Sequence, residues 1–406
     1  MGRVVNYQLS TPNSQLPTPN YQLPTNAMER VIIIGCGIIG ATIAYELSCL
    51  NRYEISLLDR QAPAQDATGA ALGVLMGVIS QKVKGRAWRL REDSIRRYHR
   101  LIPELEQKTG LAIPHNRQGI VKLLSREEDI GKWQQLIDTR AQQQWQLELW
   151  DKSQIREKLP HLDLDRVEIE SAIYSPQDLQ IQPIALTNAL VAGAQLQGVN
   201  LHFNREVRSI ESSSPNSWEV RTTREVMTAD WVIITAGVGS THLTQTIGDA
   251  IRQGRRCAIE IRPVLGQATH YRLPQPLGNR DFQPVITYDD AHIVPCVLAA
   301  SQNENIAEYW VGATVEFPPH NSNDINPDPE LLVQVQNRAI AFCPGLAAGE
   351  IIRTWSGYRP RPENRPAPVI ERLSDRVLLA TGHYRNGILL APATADLIRE
   401  MAFVTS

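Results

Sequence analysis

Between Arg30 and Ile34 the chain reads R-V-I-I-I, an apolar run without polar alternation, the pattern of a strand buried on both faces of a parallel sheet. The string Gly35-Cys36-Gly37-Ile38-Ile39-Gly40 follows directly, and apolar residues then recur at helical spacing at Ile39, Ile43, Leu47 and Leu50. Tyr53 to Asp59 (Y-E-I-S-L-L-D) reads as a second strand that ends in an acid, completing one βαβ unit. Upstream, residues 1–27 carry a near-repeat, Asn6-Tyr7-Gln8-Leu9, Asn13-Ser14-Gln15-Leu16 and Asn20-Tyr21-Gln22-Leu23, with Thr and Pro between the copies. Such a segment cannot build a core. It is expected to be a disordered low-complexity tail or sequence ahead of the true start, and the fold is read from Met28.

Further along, Arg86 to Arg100 is rich in arginine but sets Trp88, Ile95 and Tyr98 on one face, which predicts a solvated helix with an apolar inner side. The segments Gly119–Leu124, Ala258–Arg262, Val285–Tyr288, Ile293–Leu298 and Tyr309–Val315 read as strands of a mixed or antiparallel sheet. Between them lie a predicted helix over Ile184–Leu196, a strand over Leu201–Ile210 and the apolar run Trp231–Thr235 ending in Ala236-Gly237. Near the end, Val377–Ala380 reads as a strand, Thr381-Gly382 as a turn, and Pro392 as the first turn of a last helix reaching about Met401.

The fold class expected is α/β, with a Rossmann-type dinucleotide-binding domain (28–85, 181–245, 355–406) interleaved with a substrate domain (86–180, 246–354) built on a mixed or antiparallel sheet. At 406 residues, 42% of them hydrophobic, the chain is long enough for two such cores. A formal net charge of −2 gives no reason to expect nucleic acid or an acidic membrane as partner. No apolar run reaches the roughly 20 residues of a membrane span and no signal sequence is visible, so a cytoplasmic location is expected. Cys36, Cys49, Cys257, Cys296 and Cys343 lack C-x-x-C spacing, which argues against a metal site or a disulfide framework. The sequence is compatible with a homo-oligomer.

The glycine string gains meaning from its place between strand and helix. Gly35 permits a tight turn, Gly37 lets backbone approach a pyrophosphate, and Gly40 lets helix and strand pack closely. The helix N-terminus adds positive dipole and free N–H groups, and Asp59 stands where ribose hydroxyls are accepted. NAD and FAD share that fingerprint. What separates them is Ala67-Thr68-Gly69-Ala70-Ala71-Leu72-Gly73-Val74, where small residues let backbone approach a bulky ring, with Trp355-Ser356-Gly357-Tyr358-Arg359-Pro360 and the stretch from Ala380 to Thr394 that contains His383-Tyr384-Arg385-Asn386-Gly387.

These segments resemble the D-amino acid oxidase superfamily of FAD-dependent oxidoreductases, and within it the glycine oxidases of the thiamine pathway; the likeness covers nearly all of the chain from Met28 onward. It implies a glutathione reductase-like FAD domain and a non-covalent flavin. Ile38 and Ile39 would lie under the pyrophosphate, and Asp59 and Arg60 would meet the adenosine. Ala67, Thr68, Leu72, Gly73 and Val74 would line the flavin loop, Val207 would meet adenine through its backbone, and Gly237 belongs to the same set. His383, Tyr384, Arg385, Asn386, Gly387, Ile388 and Leu389 would wrap the isoalloxazine edge, where the last helix's N-terminus would stabilise the charge of reduced flavin.

For the substrate, the resemblance makes Arg359 the carboxylate clamp and sets Arg385 beside it, a role suited to a rigid guanidinium fork. The implied chemistry is hydride transfer from a small amino acid or amine to flavin N5, with the imine hydrolysed and molecular oxygen reduced to hydrogen peroxide. Alignment suffices for such a step, and no residue is predicted as a catalytic acid or base. In one departure, Ala291-His292-Ile293-Val294-Pro295 carries His292 where glycine oxidases tend to place a tyrosine, and in another Val74 replaces a larger methionine. His292 is read as a substrate-site candidate beside the alternative of a packed histidine. A dehydrogenase passing electrons to a quinone or carrier, a sarcosine-type N-methyl amine oxidase and a flavin-binding protein without turnover remain open as alternatives.

Overall fold

The computed structural model describes residues 28–214, 216–247, 259–296, 308–319 and 322–403; the low-complexity tail and Cys257 lie outside them. Two large sheets organise the chain. In the first, six strands run in the order Val369–Ser374, Val377–Thr381, Trp231–Ile234, Glu29–Ile34, Tyr53–Leu58, Asn200–His202. All neighbours are parallel except the first pair. Its central strand is buried on both faces, as its unbroken apolar run requires: Val31 and Ile33 face one core cluster, and Ile32 and Ile34 the opposite one.

Eight helices are described: α1 Ile38–Ser48, α2 Gly85–Thr109, α3 Ile130–Gln142, α4 Lys152–Lys158, α5 Pro183–Leu196, α6 Ser240–Thr246, α7 Pro329–Phe342 and α8 Gly387–Phe403. Apolar residues of α1, α2, α5 and α8 share the core on one face of the six-stranded sheet, while an antiparallel sheet of Val207–Ser214, Ser217–Thr222 and Val226–Ala229 covers the other. Trp88, Ile95 and Tyr98 form part of the inner face of α2. No described helix is long and apolar enough to cross a membrane.

The second sheet has eight strands in the order Glu350–Pro362, Ile261–Arg272, Glu308–Gly312, Ala291–Pro295, Val285–Tyr288, Ile120–Ser125, Ile169–Ser175, Glu148–Asp151. It is antiparallel apart from the parallel pair Val285–Tyr288 and Ile120–Ser125, so the fold is the interleaved α/β arrangement with a mixed sheet that the sequence leads one to expect.

Several element boundaries differ from expectation. The strand expected over Leu201–Ile210 is two strands, broken where Asn204 adopts left-handed geometry (φ 56). The segment expected at Ala258–Arg262 starts a longer strand at Ile261, and Tyr309–Val315 pairs only as far as Gly312. Pro392 lies inside α8 rather than in its first turn. A proline there leaves the carbonyl four residues earlier without a helical donor, and the Tyr98 hydroxyl of α2 donates to that carbonyl, Ile388 O.

A short coil between the strand Val74–Leu75 and α2 is held from both sides. Asp178 Oδ1 accepts from the N–H groups of Gly77 (2.7 Å) and Val78 (2.8 Å), and Oδ2 from Ile79 N–H (2.8 Å) and the Ser175 hydroxyl (2.8 Å). On the carbonyl side Arg140 donates to Val78 O (2.7 Å), Ser80 O (2.7 Å) and Lys82 O (2.9 Å), with its guanidinium 3.6 Å from the Trp88 ring centre. Burial pushes the Asp178 carboxyl up to about 6, against the pull of the four donors. An amide there has only one accepting oxygen. Asp178→Asn is therefore expected to lower stability by about 2–4 kcal/mol, read by equilibrium urea unfolding; a change below about 0.5 kcal/mol would show that the coil is held by other contacts.

Candidate functional site

The carboxyl ends of the parallel strands open on one continuous cavity of about 1610 Å³, larger than the roughly 300–1,000 Å³ of a pocket for a drug-sized ligand. It is lined by Gly35, Gly37, Ile38, Ile39, Asp59, Arg60, Ala67, Thr68, Leu72, Gly73, Val74, Val207, Gly237, His292, Arg359, and His383 through Leu389, Arg385 among them. Of the residues expected to touch cofactor or substrate, Gly40 does not line it. Gly40 acts from beneath: a Cβ on it would run into the Gly35 carbonyl.

The glycine loop shows why these residue types are needed. Gly35 has φ +108, and a Cβ there would stand 2.7 Å from the Thr235 carbonyl. Thr235 N–H donates to Ile34 O at 2.8 Å, so the loop is pressed against the neighbouring parallel strand. Asp59 accepts from Cys36 N–H (2.6 Å) and Gln61 N–H (2.8 Å), which orients its carboxylate at the strand end; burial raises its pKa. Thr68 accepts from Ile38 N–H at 3.0 Å, joining the loop 67–74 to the first turn of α1.

That second loop is pinned along its length. Trp355 Nε1 donates to Ala70 O (3.1 Å), Gln180 to Leu72 O (3.0 Å), and Ile181 N–H to Gly73 O (3.0 Å). Gly73 has φ +73, and Gly357 approaches so closely that a Cβ would meet the Ala70 methyl. Two helix N-termini, those of α1 and α8, reach the same cavity, a pairing suited to a ligand with negative charge at two places. His383 gives its Nε2 to Thr394 Oγ1 (2.9 Å); because that hydroxyl donates to Leu390 O (2.8 Å), Nε2 carries the proton. Burial drives this imidazole down to about 3, so it stays neutral. The cradle of backbone close to small side chains, the ribose-type acid and the two helix ends fit a flavin dinucleotide.

At the other end of the cavity Arg359 rises from the strand Glu350–Pro362. Its Nη1 donates to Leu265 O (3.1 Å) and Thr314 O (3.0 Å), and its guanidinium lies flat on Gly266, where any Cβ would collide with it. Nη2 and Nε make no hydrogen bond among the described residues and remain for a ligand. Burial, then the charge of Arg385, lowers this guanidinium to about 10, which leaves it charged at neutral pH. Arg385 is paired with Asp290 (2.7 Å). His292 lines the same end with Nδ1 shut off from solvent and unpartnered among the described residues, and burial lowers its pKa to about 4.

Asp290 and Lys122 are cavity residues that sequence reasoning missed. Asp289-Asp290 carries a turn signal, but its pairing with a residue 95 positions away has no local trace. Among the described residues no group of acids, histidines or cysteines is arranged to hold a metal.

The family described as FAD dependent oxidoreductase matches residues 30–401. A glycine oxidase from Bacillus licheniformis is 28% identical over 375 residues, 91% of this chain and 92% of that one. The bifunctional protein ThiO/ThiG of Synechocystis sp. is 30% identical over 379 residues, which are 91% of this chain and 51% of that longer one. The crystal structure of glycine oxidase from Geobacillus kaustophilus superimposes with a TM-score of 0.79 at 25% identity, covering 93% of this chain and 96% of that one.

Because alanine is a better helix former than glycine, Gly40→Ala isolates the close approach from helix propensity. The variant is expected to purify with at most about a tenth of the wild-type flavin content, read from the ratio of flavin to protein absorbance. Full flavin content in a folded variant would show that the Gly40–Gly35 approach is not needed for binding.

Proposed function

The chain belongs to the FAD-dependent oxidoreductases whose family model spans it, and from that premise we propose that it oxidatively deaminates glycine or another small amino acid, with molecular oxygen as electron acceptor and hydrogen peroxide as by-product. The observation that carries this reading is Arg359, which lines the cavity with Nη1 bonded to two carbonyls while Nη2 and Nε make no hydrogen bond among the described residues. A guanidinium so oriented suits a bidentate carboxylate. Similarity to the glycine oxidases of Bacillus licheniformis and Geobacillus kaustophilus supports the same substrate class.

FAD, when bound, supplies the hydride acceptor and the route to oxygen. In this reading the six-stranded sheet and its helices hold the flavin dinucleotide and the eight-stranded sheet holds the substrate. Arg359 grips the carboxylate and so fixes the position of the neighbouring Cα–H, a gain in alignment rather than in acid or base power. His292, neutral, offers an imidazole for a hydrogen bond and takes no proton from the amine, which must arrive or become neutral by giving its proton to water. Cys36, Cys49, Cys296 and Cys343 are free thiols, and none of these four lines the cavity.

Arg359→Met is expected to raise KM for glycine about a hundredfold or more, since it removes two charge-assisted hydrogen bonds from a desolvated site. The measurement is anaerobic bleaching of the flavin as a function of glycine concentration; bleaching at wild-type concentrations would remove the clamp assignment. A pH test addresses His292. With its pKa lowered to about 4, the imidazole is already neutral throughout the range in which an ordinary histidine titrates. The acid limb of kcat/KM should therefore follow the substrate's amine and stay in place in His292→Asn. A limb near pH 6–7 that vanishes in the variant would show a titrating histidine instead.

A further inference from the structure

The charges at the substrate end carry one step beyond that reading, on which this inference rests. Three permanent cations line that end, Arg359, Arg385 and Lys122. Arg385 is answered by Asp290 at 2.7 Å and Lys122 by Glu128 at 3.7 Å. The neighbouring Asp289 is neutralised from outside by Arg338 of α7 at 3.0 Å. Among the described residues Arg359 hydrogen-bonds only to neutral carbonyls, and His292 carries no charge. Arg385 and Lys122 thus each have a carboxylate in an ion pair, whereas no described carboxylate is bonded to Arg359.

Asp290 stands at the tip of the hairpin joining Val285–Tyr288 to Ala291–Pro295, two residues before His292, and both line the cavity. Burial alone would raise its carboxyl, but the hydrogen bond and charge of Arg385 outweigh that and hold it below the usual range, so it is ionised at neutral pH.

We propose that Asp290 is a specificity-determining residue: its carboxylate takes the place on Arg385 that a second carboxylate of a substrate would take, and so holds the site to amino acids with one carboxylate. A dicarboxylic ligand approaching Arg385 meets the Asp290 carboxylate already bonded to Nη2, and must either displace it or sit beside a like charge. Removing the charge of Asp290 frees Arg385 and turns a site with one unanswered cation into a site with two.

The test measures binding, so it does not depend on turnover. Acetate and malonate are titrated calorimetrically into the flavin-loaded wild type and into Asp290→Asn. The wild type should bind malonate no more tightly than acetate. In Asp290→Asn malonate should tighten about tenfold or more while acetate changes by less than about threefold. The gain should disappear in the double variant Asp290→Asn with Arg385→Gln. An unchanged malonate affinity in Asp290→Asn, or a gain that survives loss of Arg385, overturns the proposal. If acetate binding depends on Arg359 while malonate ignores Asp290→Asn, the clamp stands and only the role of Asp290 falls. If acetate binding ignores Arg359→Met, the clamp falls and the role of Asp290 falls with it.

Discussion

The rest of the structure depends on how closely backbone meets backbone at the carboxyl end of the six-stranded sheet. Gly35 sits against the Thr235 carbonyl and Gly40 against the Gly35 carbonyl, and Gly357 lies against the Ala70 methyl, each at a distance that leaves no room for a Cβ. These approaches bring the start of α1, the loop 67–74 and the strand Glu350–Pro362 to one cavity, although the three lie far apart in the chain. Side-chain hydrogen bonds then hold what the packing has brought together. Thr68 ties the loop to α1, and Trp355 ties it to the long strand. A dinucleotide placed there would be read mostly by main chain, which is why the residues that matter most are the smallest.

Electrostatics divide the cavity into two regions. The dinucleotide end offers helix N-termini and oriented N–H groups, which are partial charges fixed by the backbone. The far end offers full charges on long side chains, and there Arg385 and Lys122 are held in ion pairs while Arg359 is bonded to carbonyls. His292 and His383 stay out of this balance, because desolvation keeps both imidazoles neutral. They act as hydrogen-bonding surfaces of fixed shape.

The parts legible in the sequence were those set by neighbours along the chain. The run Arg30–Ile34, the glycine string and Asp59 obey local rules, and they stand in the structure where those rules put them. The motif around Arg359 and Arg385 led to one cavity. What was hidden depends on distant partners. Asp178 lies about a hundred residues from the coil it holds, and Asp290 is 95 from Arg385. The reading of Pro392 failed for a related reason: a proline inside a helix is costly unless the freed carbonyl finds a donor, and here the donor belongs to Tyr98, 290 positions before Ile388. In Leu201–Ile210 the apolar spacing masked a left-handed Asn204 that ends one strand before the next begins.

The contact between Tyr98 and Ile388 also bears on the order in which the binding site comes into being. Helix α2 is made early and α8 near the end of the described chain, yet the wall formed by residues 383–389 is joined to α2 by that hydroxyl, and α8 by a further bond from Ala393 N–H to Ser94 Oγ and by a shared core. A nascent polypeptide therefore displays the glycine loop long before it owns the opposite wall. Until Leu389 has been synthesised the dinucleotide cleft lacks one wall, so the complete cleft exists only once nearly the whole of the described chain has been made.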